Sequence, residues 1–116
     1  MQIAETYVML MVADMDRAVA FWRDGLGLGE KVVSPFWTEL TSGSTVIALH
    51  GGGTVADRDT NLGFRVADAD AAVASVVAAG GTVKVAPSTQ PDEGIRMAEV
   101  ADTEGNVFFL SAPIAG

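Results

Sequence analysis

Hydrophobic and polar positions follow one pattern twice along this chain. Residues 12–20 read VADMDRAVA and residues 66–74 read VADADAAVA, identical at seven of nine positions at an offset of 54. The correspondence resumes later in each half. Thr38-Glu39-Leu40 matches Ala98-Glu99-Val100 at an offset of 60, and 45–49 matches 106–110 at 61. Order kept across separate blocks marks a duplicated module. In the first copy TYVMLMVA (6–13) is apolar and rich in strand-favouring residues, which predicts a strand. Asp14 stands where a helix N-cap belongs, with Asp16 in the first turn to complement the helix dipole. Ala18, Val19, Phe21 and Trp22 recur at helical spacing, and Gly25 closes the helix. Short strands over 28–34, 36–42 and 45–50 follow, the last two joined by the turn SGST. The second copy predicts a strand over 62–66, Asp68 as cap, a helix over 71–79 stopped by Gly80-Gly81, and strands over 82–86, 95–101 and 106–111 with DTEG as the turn.

The expected fold is therefore α+β, one domain over 1–116 built of two βαβββ modules. Module one covers about 3–50 and module two about 61–113, joined by a glycine-rich linker over 51–60. One such half-sheet cannot bury its apolar face alone. Two together curve into a cup-shaped mixed sheet with helices outside, either within a chain or exchanged between chains.

Composition narrows the classes. At 116 residues, 49% hydrophobic and 19% charged, the chain can bury an independent core and is too apolar for a disordered segment. No apolar run reaches the roughly 18 residues of a membrane span. The start lacks a basic region and meets Glu5 and Asp14 early, so no signal peptide is expected and the setting is expected to be cytoplasmic. The absence of cysteine excludes disulfides, thiolate metal sites and cysteine nucleophiles. A net charge of −8, with no basic stripe, argues against nucleic acid and anionic membranes as partners and suits a cationic ligand.

VADMDRAVAFWRDGLGL near the start and GIRMAEVADTEGNVFFLSAP near the end, within paired βαβββ modules, resemble the vicinal oxygen chelate superfamily. This is the group of glyoxalase I, extradiol dioxygenases, fosfomycin-modifying enzymes and bleomycin resistance proteins. The resemblance covers about residues 3–113. It implies a cup that, in the enzymes, holds a divalent metal on His, Glu or Gln from the first and last strands of each module. The first-strand position, seven residues before the Asp of each VAD, is Tyr7 and Asn61 here. The last-strand position, before the closing Leu, is Ala48 and Phe109. Alanine and phenylalanine offer no donor, asparagine is a weak neutral one, and tyrosine binds well only after losing a proton near pH 10. No metal and no cofactor are therefore expected. Glu5, His50 and a glutamate remain conceivable as a displaced site.

Without a metal the cup is lined by Tyr7, Met9, Val46, Ala48, Asn61, Gly63, Val107 and Phe109, with Phe36, Trp37, Met97 and His50 as further ligand-binding candidates. Phe21 and Trp22 are read as core. Glycines 25, 27 and 29 do not form a dinucleotide-binding pattern, and Ser42 and Ser44 are turn residues. Among family members without the metal ligands, the resemblance implies a homodimer that sequesters a small aromatic or cationic natural product, a drug-resistance role. The alternative is a lyase, isomerase or dioxygenase-like enzyme using a displaced metal, or Glu39, Glu99 or His50 as base. A third reading is a domain whose pocket its own side chains fill.

Overall fold

A computed structural model describes residues 1–114. Its strands are β1 (Tyr7–Met11), β2 (Gly29–Val32), β3 (Trp37–Ser42), β4 (Thr45–His50), β5 (Arg58–Arg65), β6 (Thr82–Gln90), β7 (Ile95–Ala101) and β8 (Asn106–Pro113). Helix α1 (Met15–Val19) follows β1, and α2 (Ala69–Ala78) follows β5. The strands form two four-stranded mixed sheets, ordered β1-β4-β3-β2 and β5-β8-β7-β6. In each, the first strand runs parallel to the last and the remaining neighbours are antiparallel. The βαβββ repeat is thus realised twice, as the sequence predicts.

Both helices begin at their expected caps. The Asp14 carboxylate accepts from Arg17 N at 3.0 Å, and that of Asp68 from Ala71 N at 3.0 Å, each satisfying a backbone donor of the open first turn. Beyond Val19 the coil widens into a π-helix over Ala20–Gly25, where Leu26 N donates to Phe21 O at 2.9 Å. This wider turn, which the helical spacing did not foretell, keeps the adjacent Phe21 and Trp22 both buried. Gly25 ends it because a Cβ there would lie 2.4 Å from Ala79 Cβ at the end of α2. The two helices approach more closely than any larger residue permits.

Alternation along the strands sends Leu10, Val12, Leu40, Ile47 and Leu49 of the first sheet, and Ala98, Val100, Phe108 and Leu110 of the second, into a single core with Val19, Phe21, Trp22, Val73 and Val76 of the helices. Trp22 is its centre. The ring lies 5.0 Å from Phe21, 4.9 Å from Phe108 and 6.0 Å from Phe64, so a helix of module one is packed on the sheet of module two.

Polar groups fasten the same seam. Glu104, fully buried in the DTEG turn, accepts from Ala13 N and Asp14 N at 2.9 Å each, from Thr103 Oγ1 at 2.7 Å and from Arg17 Nε at 2.8 Å. Asp102 accepts from Trp22 Nε1 at 3.1 Å and Asn106 Nδ2 at 2.9 Å, while Asn106 Nδ2 also donates to Met11 O at 2.8 Å. The turn that closes module two therefore caps and holds the helix of module one.

Several boundaries move from their expected places. β5 begins at Arg58 rather than 62, because Arg58 and Asp59 already pair with Asn106 and Val107; the linker shortens to 51–57. Between them and Gly63 the register shifts. Asn61 takes φ 59° there, a left-handed conformation that asparagine tolerates better than most side chains. Thr60 Oγ1 donates to Val107 O at 2.6 Å to hold the bulge. β6 runs to Gln90 rather than 86, passing Pro87 at a register shift on an edge strand, where proline's missing donor is tolerated. β2 spans 29–32 rather than 28–34, and Phe36 precedes β3 instead of lying within it, because the Ser34-Pro35 turn is closed by hydrogen bonds between Ser34 and both Trp37 and Thr38.

Candidate functional site

The core-facing residues fix what the other faces present. On the first sheet these are Tyr7 and Met9 of β1, Trp37, Glu39 and Thr41 of β3, and Val46, Ala48 and His50 of β4. Strand pairing sets them in rows: Met11, His50 and Trp37; Met9, Ala48 and Glu39; Tyr7, Val46 and Thr41. The second sheet repeats the arrangement as Arg65, Ser111 and Met97; Gly63, Phe109 and Glu99; and Val107 beside Ala101. Asn61 stands on its bulge at the edge of that last row. The duplication is therefore preserved as geometry, and the residues it places in register differ in chemistry.

The first face is a worked surface. Tyr7 and Trp37 meet edge to face at 5.6 Å, and the His50 ring stands 6.0 Å from Trp37 in the same manner. Ala48 is fully buried between them, while Tyr7 and Met9 keep 51% and 48% of their surface in solvent. Trp37 Nε1 donates to Glu39 Oε2 at 3.0 Å. Lys31 Nζ bridges Glu5 at 2.5 Å and Glu39 at 3.6 Å, and its hydrogen bond to Glu5 raises the ammonium above its ordinary range. His50 Nδ1 lies 2.7 Å from Gly51 O.

Of the predicted residues, Tyr7, Trp37, Ala48, His50 and Glu39 are thus brought together. Asn61, Met97, Glu99 and Phe109 occupy the corresponding face of the other sheet, and no hydrogen bond or ring contact links the two faces among the described residues. Each module turns its opposite face to the shared core, which separates them. Phe36, in its turn, is 78% exposed and belongs to neither row. Phe21 and Trp22 are core, as expected.

Residues at the family's metal positions do not fit such an ion. Tyr7, Ala48, Asn61 and Phe109 supply two side chains without any donor and none that is anionic at neutral pH. The displaced alternative meets a different occupant, since the carboxylates of Glu5 and Glu39 already share the Lys31 ammonium. Among the described residues, no three of His, Asp and Glu gather as a metal-holding group. Lys31 is the site residue that pattern reading missed. It sits at a register shift between β2 and β3, so strand alternation could not assign its side.

Comparison with known proteins places this geometry. The model of the glyoxalase/bleomycin resistance protein/dioxygenase superfamily matches residues 6–110. A glyoxalase/bleomycin resistance protein/dioxygenase family enzyme from Burkholderia phytofirmans superposes with a TM-score of 0.81 at 24% identity, over 96% of this chain and 100% of that one. A genomically encoded fosfomycin resistance protein from Listeria monocytogenes gives 0.78 at 18%, over 97% and 94%. A glyoxalase-related enzyme from Fulvimarina pelagi gives 0.78 at 19%, over 95% and 88%. At these identities the likeness is one of fold. No curated protein sequence matches the chain.

Proposed function

Because the chain belongs to the glyoxalase/bleomycin resistance protein/dioxygenase superfamily, we propose that it is a metal-free small-molecule binder that works as a homodimer. The ligand is a small aromatic or cationic compound, and the role is antibiotic sequestration. One observation carries this reading: the positions where the family's metal ligands would stand hold Tyr7, Ala48, Asn61 and Phe109, with Trp37 and Met97 on the same faces, and Tyr7 and Met9 there stay about half exposed. Trp37, Tyr7 and His50 form one wall; Phe109, Met97 and Asn61 form the other. Since the shared core keeps these walls apart within a chain, the first sheet of one copy and the second sheet of another enclose the site. Flat aromatic guests suit such walls, and a cation gains from ring faces and from the chain's charge of −8.

Two measurements test it. Elemental analysis of protein grown with added metals and purified without chelator is expected to find far less than one ion per dimer; stoichiometric zinc, nickel, manganese or iron overturns the metal-free reading. Titration with bleomycin is expected to quench tryptophan fluorescence, and Trp37→Ala to weaken binding at least tenfold while its melting curve stays cooperative. Unchanged affinity in that variant removes the first wall from the site.

A second reading rests on Glu99. It is half-buried beside Phe109 and, among the described residues, has no salt-bridge partner, unlike Glu39. On this reading a metal-independent isomerase or lyase activity would fall at least a hundredfold in Glu99→Gln; an activity indifferent to that change would exclude Glu99 as its base.

A further inference from the structure

The duplication sets one carboxylate at the same point of each sheet, and the chain treats the two differently. Glu39 stands in register with Ala48 and, beyond it, Met9; Glu99 stands in register with Phe109 and, beyond it, Gly63. Alternation turns both rows to the outward faces. Glu39 is already engaged there, accepting from Trp37 Nε1 at 3.0 Å and lying 3.6 Å from Lys31 Nζ. Glu99 is half-buried and has no ion-pair partner among the described residues. Cations near it in the fold serve other groups. Lys84, beside its β6 neighbour Val85, pairs with Asp57 at 2.8 Å, and Arg96 pairs with Asp70 at 2.7 Å. Arg65 shares the outward face but stands on β5 in the row of Ser111 and Met97, with β8 between it and Glu99.

The neighbours of Glu99 suit a cation that carries a flat apolar body. Phe109 offers a ring beside it. Gly63 then leaves a recess where module one has the Met9 side chain. The backbone does not demand glycine at this point, because Gly63 lacks a positive φ and a Cβ there would meet Phe109 Cβ at an ordinary 3.8 Å. Such a glycine inside a strand leaves room for the close approach of another group. Enclosure of this face by a second copy takes water from Glu99, and a carboxylate so desolvated needs an opposite charge. On the opposing wall the Lys31 ammonium is already shared by Glu5 and Glu39. The ligand is left to supply it.

We infer that Glu99 sets the ligand class of the proposed site as an aromatic ammonium, its charge received by the Glu99 carboxylate and its ring lying in the Gly63 recess against Phe109. This rests on the binding reading above and narrows it from aromatic or cationic to both in one molecule. The probes are 2-naphthylmethylamine, protonated at pH 7, and the uncharged 2-naphthalenemethanol. Both are titrated calorimetrically against wild type, Glu99→Gln, Glu93→Gln, Gly63→Leu and Trp37→Ala. Glu93 lies exposed in the Pro91–Glu93 turn, off the sheet face, so Glu93→Gln removes the same charge away from the site. The amine is expected to bind at least tenfold tighter than the alcohol. Glu99→Gln erases that preference while the affinity for the alcohol holds, and Glu93→Gln keeps it. Gly63→Leu weakens both probes at least tenfold, with a melting curve to confirm that the variant folds. Equal affinity of the two probes for wild type, a preference that survives Glu99→Gln or falls as far in Glu93→Gln, or undiminished binding in Gly63→Leu overturns the inference. Trp37→Ala separates it from the reading it rests on. Equal affinities that both fall in Trp37→Ala keep the first wall and remove only the role of Glu99, whereas no binding of either probe removes both.

Discussion

Replacing Trp22 by alanine is expected to destabilise the protein by about 4 kcal/mol, within the roughly 3–5 kcal/mol of fully buried tryptophan truncations. The ring is fully buried and touches the aromatic side chains of both modules. Its removal opens a void that Phe21, Phe64 and Phe108 cannot fill without leaving their rotamers. Asp102 also loses the indole N–H that satisfies one of its oxygens, and burial already pushes the Asp102 carboxyl above the ordinary range. At fixed protein concentration the melting temperature should fall by roughly 15 °C, on the scale of about 4 °C per kcal/mol for a domain of this size. Trp22→Phe should cost less than half as much. A loss below about 1 kcal/mol in Trp22→Ala would contradict the joint core.

Glu104 makes the second large prediction. Its carboxylate holds two backbone N–H groups at the start of α1, one hydroxyl and the Arg17 guanidinium, and these partners outweigh burial to keep its pKa at about 2. Glu104→Ala leaves the N–H groups of Ala13 and Asp14 without this acceptor and is expected to cost about 2–3 kcal/mol. The pH dependence has a definite sign. The unfolded chain titrates this group near the ordinary 4.5, so its contribution is complete above that pH and drains away between about 4.5 and about 2. Glu104→Gln should therefore flatten the acid limb of the stability curve in that window. Asp102 acts oppositely, since its raised pKa favours the folded state as pH falls. A mutant curve that runs parallel to wild type from pH 5 to 2.5 would remove Glu104 from this role.

The repeat made the fold legible. VADMDRAVA against VADADAAVA located both strand–cap–helix units, and both aspartates cap as their position requires. What was not legible depends on contacts between the copies. The π-helical turn at Ala20–Gly25 follows from packing Phe21 and Trp22 together on another module's sheet, which helical spacing alone does not encode. The early start of β5 rests on pairing with Asn106, 48 residues away from Arg58. At the candidate site, alternation assigned Tyr7, Ala48 and His50 to one face, while Trp37 was named only together with its neighbour Phe36, and the strand start at Trp37 separates the two. Alternation could not foresee Lys31 beside Glu5 and Glu39, because a register shift precedes that pairing. The conformation of Asn61 also carries a lesson. Its left-handed backbone gives asparagine a structural reason to be there, independent of any ligand.

The most direct test of the dimeric site uses the absence of cysteine from the chain. Tyr7→Cys and Asn61→Cys are introduced into one chain and treated with a short bifunctional maleimide. If the site forms between copies, these positions face each other across it, and the product is two chains joined at about 24 kDa, twice the 12.0 kDa of one. Crosslinking confined to a single 12.0 kDa chain, or none at all, would contradict a site enclosed by the first sheet of one copy and the second sheet of another.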